Sequence, residues 1–184
     1  MTARNFHVIT GASGGGKSTL VGALGELGYS VMPESALSVL QEQEQRSASP
    51  LSKANLKAFM EEVLERSIRA YDAAQLLTPP VFFDRALPEC LEHMRLLNLE
   101  VKPEFEAWLE LRRYADTVFV VQPWPEIYVQ DRWRTADFAR ASRSFEPTVA
   151  AYVDRGYGMR IVPQVSVEER VAFVLQHTGV RSRP

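Results

Sequence analysis

The stretch Gly11-Ala12-Ser13-Gly14-Gly15-Gly16-Lys17-Ser18 directly follows the largely apolar run Phe6–Thr10. It matches the complete G-x-x-x-x-G-K-S pattern of a phosphate loop, in which a glycine-rich turn joins a strand to the start of a helix. The backbone N–H groups of such a turn and the positive end of the helix dipole bind polyphosphates. The alternative is a chance glycine-rich turn, which the strand–loop–helix context disfavours. The stretch therefore predicts a site for a nucleoside triphosphate.

The residue types within and beside this loop indicate separate tasks. The predicted nucleotide-binding residues are Gly11, Ala12, Ser13, Gly14, Gly15, Gly16, Lys17, Ser18 and Thr19. We expect the Lys17 ammonium to reach the β- and γ-phosphates and the Ser18 hydroxyl to hold Mg²⁺. ATP and Mg²⁺ are accordingly the predicted cofactors.

Composition and charge exclude several classes of protein. A chain of 184 residues that is 46% hydrophobic and 24% charged fits one globular domain over 1–184. A formal net charge of -2 gives no support for binding nucleic acid. No apolar run approaches the roughly 20 residues of a membrane span. Because the first predicted strand begins almost at once, we expect no signal peptide. Since the single cysteine, Cys90, fits a reducing compartment, we expect a cytoplasmic protein.

Short apolar runs alternate with longer amphipathic segments along the chain. This pattern predicts an α/β fold, a three-layer sandwich with a five-stranded parallel sheet whose strands are covered on both faces. The predicted strands are Phe6–Thr10, Ser30–Met32, Pro80–Phe83, Thr117–Val121 and Met159–Val162. The predicted helices cover about Lys17–Leu27, Pro33–Arg46, Lys53–Leu77, Leu87–Asn98, Pro103–Tyr114 and Val167–His177.

An acid–arginine pair ends the third predicted strand. Asp84 is a candidate second Mg²⁺ ligand, because an acid at this place sits beside the phosphate loop; its alternative role is a helix N-cap. Arg85 stands where a hydrolytic motor carries a glutamate that activates water. An arginine stays protonated, which suits it to bind a phosphate or a substrate oxygen. The alternative for Arg85 is a surface ion pair with Glu89, one helical turn further on.

A third acid, Glu34, follows the second predicted strand. The ends of parallel strands meet at the crevice where ligands bind. Glu34 is therefore a candidate base for a proton from a substrate hydroxyl. The equally weighted alternative is that Glu34 only complements a helix dipole, behind Pro33 at the first helical position.

A basic segment follows the fourth predicted strand. Between Asp131 and Arg143, within a possible lid at about 124–143, the sequence contains Arg132, Arg134, Arg140 and Arg143, opposed by Asp131 and Asp137. Such a segment predicts a lid that closes over the triphosphate, with Arg132 and Arg134 the favoured catalytic arginines. The alternative is a solvated helix with local pairs such as Asp137 with Arg140.

Together these pieces resemble a family of small bacterial phosphate-loop proteins labelled predicted ATPases or AAA domain proteins. The matching segments run along nearly the whole chain: Gly11–Ser18, Gly28-Tyr29, Pro33–Ala36, Phe83–Pro88, Tyr114, Val118–Trp124, Ile127-Tyr128, Asp131, Tyr152, Gly156-Tyr157, Val162-Pro163 and Val167–Arg170. The family's activity is poorly defined, so this resemblance implies the fold more firmly than the substrate.

The same layout looks like that of P-loop nucleoside and nucleotide kinases. The likeness implies that Glu34 is the base, that Asp84 holds the metal, that Arg85 binds substrate, and that Arg132 and Arg134 form the lid. The expected function is ATP- and Mg²⁺-dependent phosphoryl transfer to a small-molecule acceptor, for example a nucleoside or nucleotide. The alternative is a regulatory ATP-binding protein with slow or no hydrolysis. A GTPase is disfavoured because the sequence has no Asn-Lys-x-Asp segment.

Overall fold

A computed structural model describes residues 5–45, 53–130 and 136–179 of the chain. Its elements in chain order are β1 Phe6–Gly11, α1 Lys17–Glu26, β2 Ser30–Met32, α2 Ser35–Gln45, α3 Lys53–Ala74, β3 Val81–Asp84, α4 Leu87–Leu96, α5 Pro103–Leu111, β4 Thr117–Val121, a 3₁₀ turn Pro125–Ile127, α6 Phe138–Ser142, α7 Phe145–Val153, β5 Gly158–Val162 and α8 Val167–Thr178. Within these ranges, no helix is long and apolar enough to cross a membrane.

The strands of the described ranges form one parallel sheet in the order β2-β3-β1-β4-β5. β1 pairs in register with both β3 and β4, so it lies at the centre, and β2 adds to the far side of β3. The connections after β1 and after β3 leave the sheet at the same edge. In open parallel sheets such an edge, at the strand where the order reverses, is where ligands bind.

The two faces of the sheet are buried in two separate hydrophobic clusters. Successive side chains of a strand point to opposite faces, so Val81 and Phe83 of β3 join one cluster and Phe82 joins the other. The first cluster packs against α3, α4 and α7, and the second packs against α1 and α8. Helices therefore cover both faces. The predicted three-layer α/β sandwich with a five-stranded parallel sheet is confirmed.

Three features differ from the sequence-based expectation. The helices α6 and α7 were not predicted, although Pro147 in the first turn of α7 and the following apolar residues are compatible with a helix start. Helix α2 begins at Ser35, two residues later than predicted. The expectation that every strand is covered on both faces is wrong for β5, where Arg160 and Ile161 are exposed because β5 is an edge strand.

Candidate active site

The carboxyl ends of β1, β3 and β2 bring the predicted site residues to one edge of the sheet. The phosphate loop follows β1, Asp84 and Arg85 end β3, and Glu34 follows β2. Since these three strands are neighbours in the sheet, residues that are far apart in the sequence become adjacent, as Ser18 and Asp84 do across 66 positions. The fold thus assembles the acid, the arginine and the loop at one place.

The phosphate loop has a backbone conformation that its glycines make possible. Gly11 has a φ of 120°, and a Cβ there would lie 2.0 Å from the carbonyl oxygen of Val121. At Gly14, with a φ of 78°, a Cβ would lie 2.3 Å from the ring of Tyr128. β4 and the turn after it therefore pack so closely against the loop that side chains at these glycines are excluded.

Lys17 opens helix α1 and is almost fully buried. Its Nζ donates hydrogen bonds to the carbonyl oxygens of Ala12, at 2.7 Å, and Gly11, at 3.4 Å. Burial, followed by the nearby Arg85 guanidinium, lowers the pKa of Lys17 to about 8. An incoming anion would stabilise the charged ammonium, so this environment favours binding of an anion.

Ser18 and Asp84 lie in direct contact behind the loop. The Ser18 hydroxyl donates a hydrogen bond of 2.7 Å to Oδ2 of Asp84, whose Oδ1 is buried without a hydrogen-bond partner. Burial raises the pKa of the Asp84 carboxyl. Hydroxyl and carboxylate oxygens are ligands that Mg²⁺ prefers, so the residues present fit this ion. The N-cap alternative for Asp84 does not hold, because the residue before α4 is Ala86.

Arg85 adopts a left-handed backbone conformation, with a φ of 68°, while its N–H remains bonded to the Ile9 carbonyl at 3.0 Å. Such a φ is rare outside glycine and is a form of local strain that is concentrated at functional sites. The guanidinium hydrogen-bonds to Glu89, and its Nε lies 3.1 Å from Oε1 of Glu34. The ion pair with Glu89 therefore exists, but it is buried rather than on the surface. These two carboxylates raise the pKa of Arg85, although burial opposes its charge.

Glu89 is a buried polar centre that the sequence analysis considered only as an ion-pair partner. Its carboxylate accepts hydrogen bonds from Thr10 Oγ1 at 2.9 Å, Tyr152 Oη at 2.8 Å and the Ala86 N–H at 3.2 Å, besides the bond from Arg85. Burial alone would raise the pKa of Glu89, but Arg85 and the Tyr152 hydroxyl hold it below its usual value. Glu89 is thus a charged carboxylate that fixes Arg85 in position.

Two cavities meet at this group of residues. One, of about 400 Å³, lies over the phosphate loop and is lined by Lys17, Ser18 and Thr19 among others. The other, of about 290 Å³, extends between α2, α3 and α4. Ser13, Glu34 and Arg85 line both cavities. Glu34 therefore lies at the boundary between the phosphate-loop cavity and the second cavity, where its side chain can contact ligands in both.

Arg170 of α8 is a member of the site that the sequence analysis did not single out as functional. It is 4% exposed and lines the phosphate-loop cavity. Its Nη1 lies 3.4 Å from the carbonyl oxygen of Gly16, its guanidinium lies 5.5 Å from the ring centre of Trp124, and its Nε has no hydrogen-bond partner. No local pattern indicates this role, because 152 residues separate Ser18 from Arg170 in the sequence.

The predicted lid arginines fall in two groups. Arg132 and Arg134 lie outside the described residues. Arg140 and Arg143 line a separate open groove that also includes Ser144, a residue of the second cavity. Asp137 does not pair with the Arg140 side chain as the alternative proposed; its Oδ1 accepts the Arg140 backbone N–H at 2.7 Å and caps α6.

The fold and this arrangement define the class of the protein: a phosphate-loop nucleotide-binding domain with a kinase-like fold. The chain belongs to the family described as "AAA domain" (AAA_28), whose sequence model matches residues 6–170. The predicted resemblance to this family is confirmed. No curated protein sequence matches the chain significantly.

Solved structures of two kinase-like proteins share the fold. A crystal structure of the NadR protein in complex with NR has a TM-score of 0.69 and 16% identity, covering 97% of this chain and 52% of that chain. A second NadR structure, in complex with NAD and AMP-PNP, has a TM-score of 0.65 and 16% identity, covering 98% of this chain and 52% of that chain. The structure of deoxyadenosine kinase from M.mycoides, with dCMP and dCDP bound, has a TM-score of 0.58 and 15% identity, covering 94% of this chain and 97% of that chain. This chain thus spans about half the length of the NadR chains, and identities this low show the fold alone.

Proposed function

We propose that this protein transfers the γ-phosphoryl group of ATP to a hydroxyl group of a small molecule. The observation that carries the proposal is the pair of cavities that share Ser13, Glu34 and Arg85. A protein that only binds or hydrolyses ATP needs one cavity. A phosphotransferase needs a second cavity that adjoins the first where the γ-phosphate lies.

The proposed reaction uses Glu34 as the base. The acceptor oxygen forms a bond to the γ-phosphorus, the bond from that phosphorus to the β,γ-bridging oxygen breaks, and ADP leaves with the electron pair. The acceptor proton passes to the Glu34 carboxylate, which lies at the boundary of the two cavities. Phosphoryl transfer requires mostly positioning and charge stabilisation, so one carboxylate and several cations suffice.

The cationic residues would bind and orient the donor. Lys17 would leave the carbonyl oxygens of Gly11 and Ala12 for the phosphates, and Arg170 would contact them from α8. Ser18 and Asp84 would hold Mg²⁺, which when bound supplies positive charge against the phosphate oxygens. Arg132 and Arg134 stay proposed lid residues.

The likeness to deoxyadenosine kinase and to a NadR structure with AMP-PNP supports a kinase over other phosphate-loop functions. The rival proposal is a regulatory ATP-binding protein with slow or no hydrolysis. One observation favours it: in the ligand-free arrangement the Lys17 ammonium already bonds to a carbonyl oxygen of the loop, and Arg85 is already paired with Glu89. We give more weight to the second cavity, since ligands commonly displace such internal contacts.

Transfer of label from γ-labelled ATP tests the proposal. The protein is incubated with Mg²⁺ and panels of nucleosides, nucleotides and other small alcohols, and the products are separated by chromatography. Label on an acceptor, absent with Lys17→Ala, is the expected result. Label only in inorganic phosphate, at a rate that no acceptor changes, would favour the regulatory protein instead.

A further inference from the structure

The cavity between α2, α3 and α4 carries an imbalance of charge that bears on its ligand. Three carboxylates line it, those of Glu34, Asp84 and Glu89. Among the described residues of the lining, Arg85 is the sole side chain with a permanent positive charge. We propose, building on the proposed function, that the acceptor is a small alcohol without negative charge, neutral or cationic, rather than a molecule that already carries a phosphate group.

Arg85 is already committed to other groups of the protein. One side of its guanidinium is bonded to Glu89, and its Nε lies 3.1 Å from Glu34. Glu89 cannot turn away, because Thr10, Tyr152 and the Ala86 N–H all hold the same carboxylate. A phosphate on the acceptor would therefore have to compete with the carboxylates of Glu34 and Glu89 for the guanidinium, and it would lie close to buried negative charge.

The remaining carboxylates have separate tasks. Asp84 bonds to Ser18 at the proposed metal site, so Mg²⁺ would neutralise its charge. Glu34 and Glu89 then leave a net charge of about -1 after the charge of Arg85 is subtracted, and the triphosphate next door adds more negative charge. Like charges placed side by side are strongly unfavourable in a desolvated site. The carboxylates of the cavity and the neighbouring triphosphate therefore both disfavour an acceptor with negative charge.

The other walls of the cavity indicate the size and polarity of the rest of the acceptor molecule. Leu40, Phe59, Met60 and Val63 form an apolar wall opposite the charged end. A volume of about 290 Å³ is at the small end of ligand sites. The apolar wall suits a ring or a short aliphatic body, and the hydroxyl to be phosphorylated would point toward Glu34. Buried Ser67 adds one polar group to this wall.

The charge preference can be measured without knowing the acceptor. A fluorine-containing fragment library with equal numbers of cationic, neutral and anionic members is screened by NMR against the full chain saturated with Mg²⁺ and AMP-PNP. The nucleotide analogue blocks the phosphate-loop cavity, so the hits that remain report other sites. A second screen uses Met60→Trp, which fills the apolar cavity, and Val63→Phe serves if that variant does not fold. Leu76→Trp is the matched control, because Leu76 is 89% exposed.

The hits of interest persist with AMP-PNP, persist in Leu76→Trp and vanish in the cavity-filling variant. We expect them to be cationic or neutral, and we expect the phosphate ester of any alcohol among them to bind at least about tenfold more weakly. A majority of anionic hits, or an ester that binds as well as its alcohol, overturns the proposal. An absence of hits that depend on the cavity also overturns it.

Failure of the proposed function would give a different result. If AMP-PNP itself does not bind, or if it binds equally to Lys17→Ala, the phosphotransferase proposal fails while the charge preference of the cavity is still read from the fragments. Conversely, transfer of label from ATP to a hydroxyl group of a nucleoside monophosphate would support the phosphotransferase and refute the charge preference.

Discussion

The two cavities of the site are built in opposite ways. Half of the residues that line the phosphate-loop cavity come from one short segment, 13–19, at the start of α1. The second cavity is lined mainly by residues of β3, α2, α3 and α4, which are separated by long stretches of sequence. A phosphate is recognised by N–H groups and charge, which one turn can supply. A small organic molecule is recognised by shape, which requires several elements.

The electrostatics of the two cavities also differ. In the phosphate-loop cavity, burial disfavours the charged forms of Lys17 and Arg170 and lowers the pKa values of both. A bound anion would stabilise these charged forms. In the second cavity, Glu89 and Glu34 pair with Arg85 and raise its pKa, although burial opposes its charge. The first cavity is therefore prepared for added negative charge, whereas the second already has an excess of negative charge. Each prediction below tests one side of this contrast.

Lys17→Ala should have the largest effect. The variant removes the ammonium at the centre of the phosphate cavity, so we expect kcat/KM to fall by more than about 10⁴-fold and ATP binding to become hard to detect. Calorimetry with ATP and Mg²⁺ measures the binding, and circular dichroism checks that the fold is intact. Unchanged affinity and turnover would refute the phosphate-loop interpretation.

Glu34→Gln tests the boundary between the cavities. If Glu34 takes the acceptor proton, kcat should fall by roughly 10²–10⁴-fold with little change in ATP affinity, because the shape is kept and only the basicity is lost. If Glu34 only complements the dipole of α2, the change should cost less than about 1 kcal/mol of stability and leave kcat alone. Steady-state kinetics with any acceptor found by labelled ATP distinguishes the two outcomes.

The sequence predicted some residues of each cavity and missed others. The phosphate loop, the five strands and the positions of Asp84 and Glu34 at strand ends follow from local patterns, which strand–loop–helix geometry fixes. Glu89 and Arg170 could not be recognised in this way. Their roles depend on partners such as Tyr152 and Gly16 that only the tertiary fold brings near.

Glu89→Gln tests the residue that holds Arg85. We expect a loss of about 3 kcal/mol in the free energy of unfolding, because a buried guanidinium loses its main charged partner. Urea denaturation measures it. Glu92→Gln, on the same helix but with a partly exposed side chain paired to Arg95, is the control and should change stability by less than about 1 kcal/mol. Equal effects in the two variants would mean that Glu89 has no special structural role.

Arg170→Met tests the cation that α8 contributes. The change keeps much of the apolar stem and removes the charge, so we expect ATP to bind about 10- to 50-fold more weakly, the value of one charge-assisted contact. Arg160→Met, on the exposed strand β5, is the control for a lost positive charge at a distance. If both variants weaken ATP binding to the same extent, long-range attraction rather than contact explains the effect.

The smallest expected effect is a dependence of ATP affinity on pH. In the free protein burial lowers the pKa of Lys17 to about 8, from an ordinary value of 10.5. A bound triphosphate favours the ammonium and raises that pKa again. The contribution of Lys17 to ATP affinity should therefore be nearly constant below about pH 7 and fall by about tenfold between pH 7 and pH 9.

Stability of the ligand-free protein should respond to Lys17 in the opposite direction. Between pH 8 and 10.5 the unfolded chain binds more protons at this lysine than the folded chain. The contribution of Lys17 to the free energy of unfolding therefore rises with pH across that window. Lys17→Met lacks this slope in stability, and subtracting its stability curve removes the titration of other groups. An ATP affinity of the unmodified protein that stays flat from pH 7 to 9 would mean that Lys17 is not the cation that meets the triphosphate, and the contrast between the two cavities would lose its electrostatic basis.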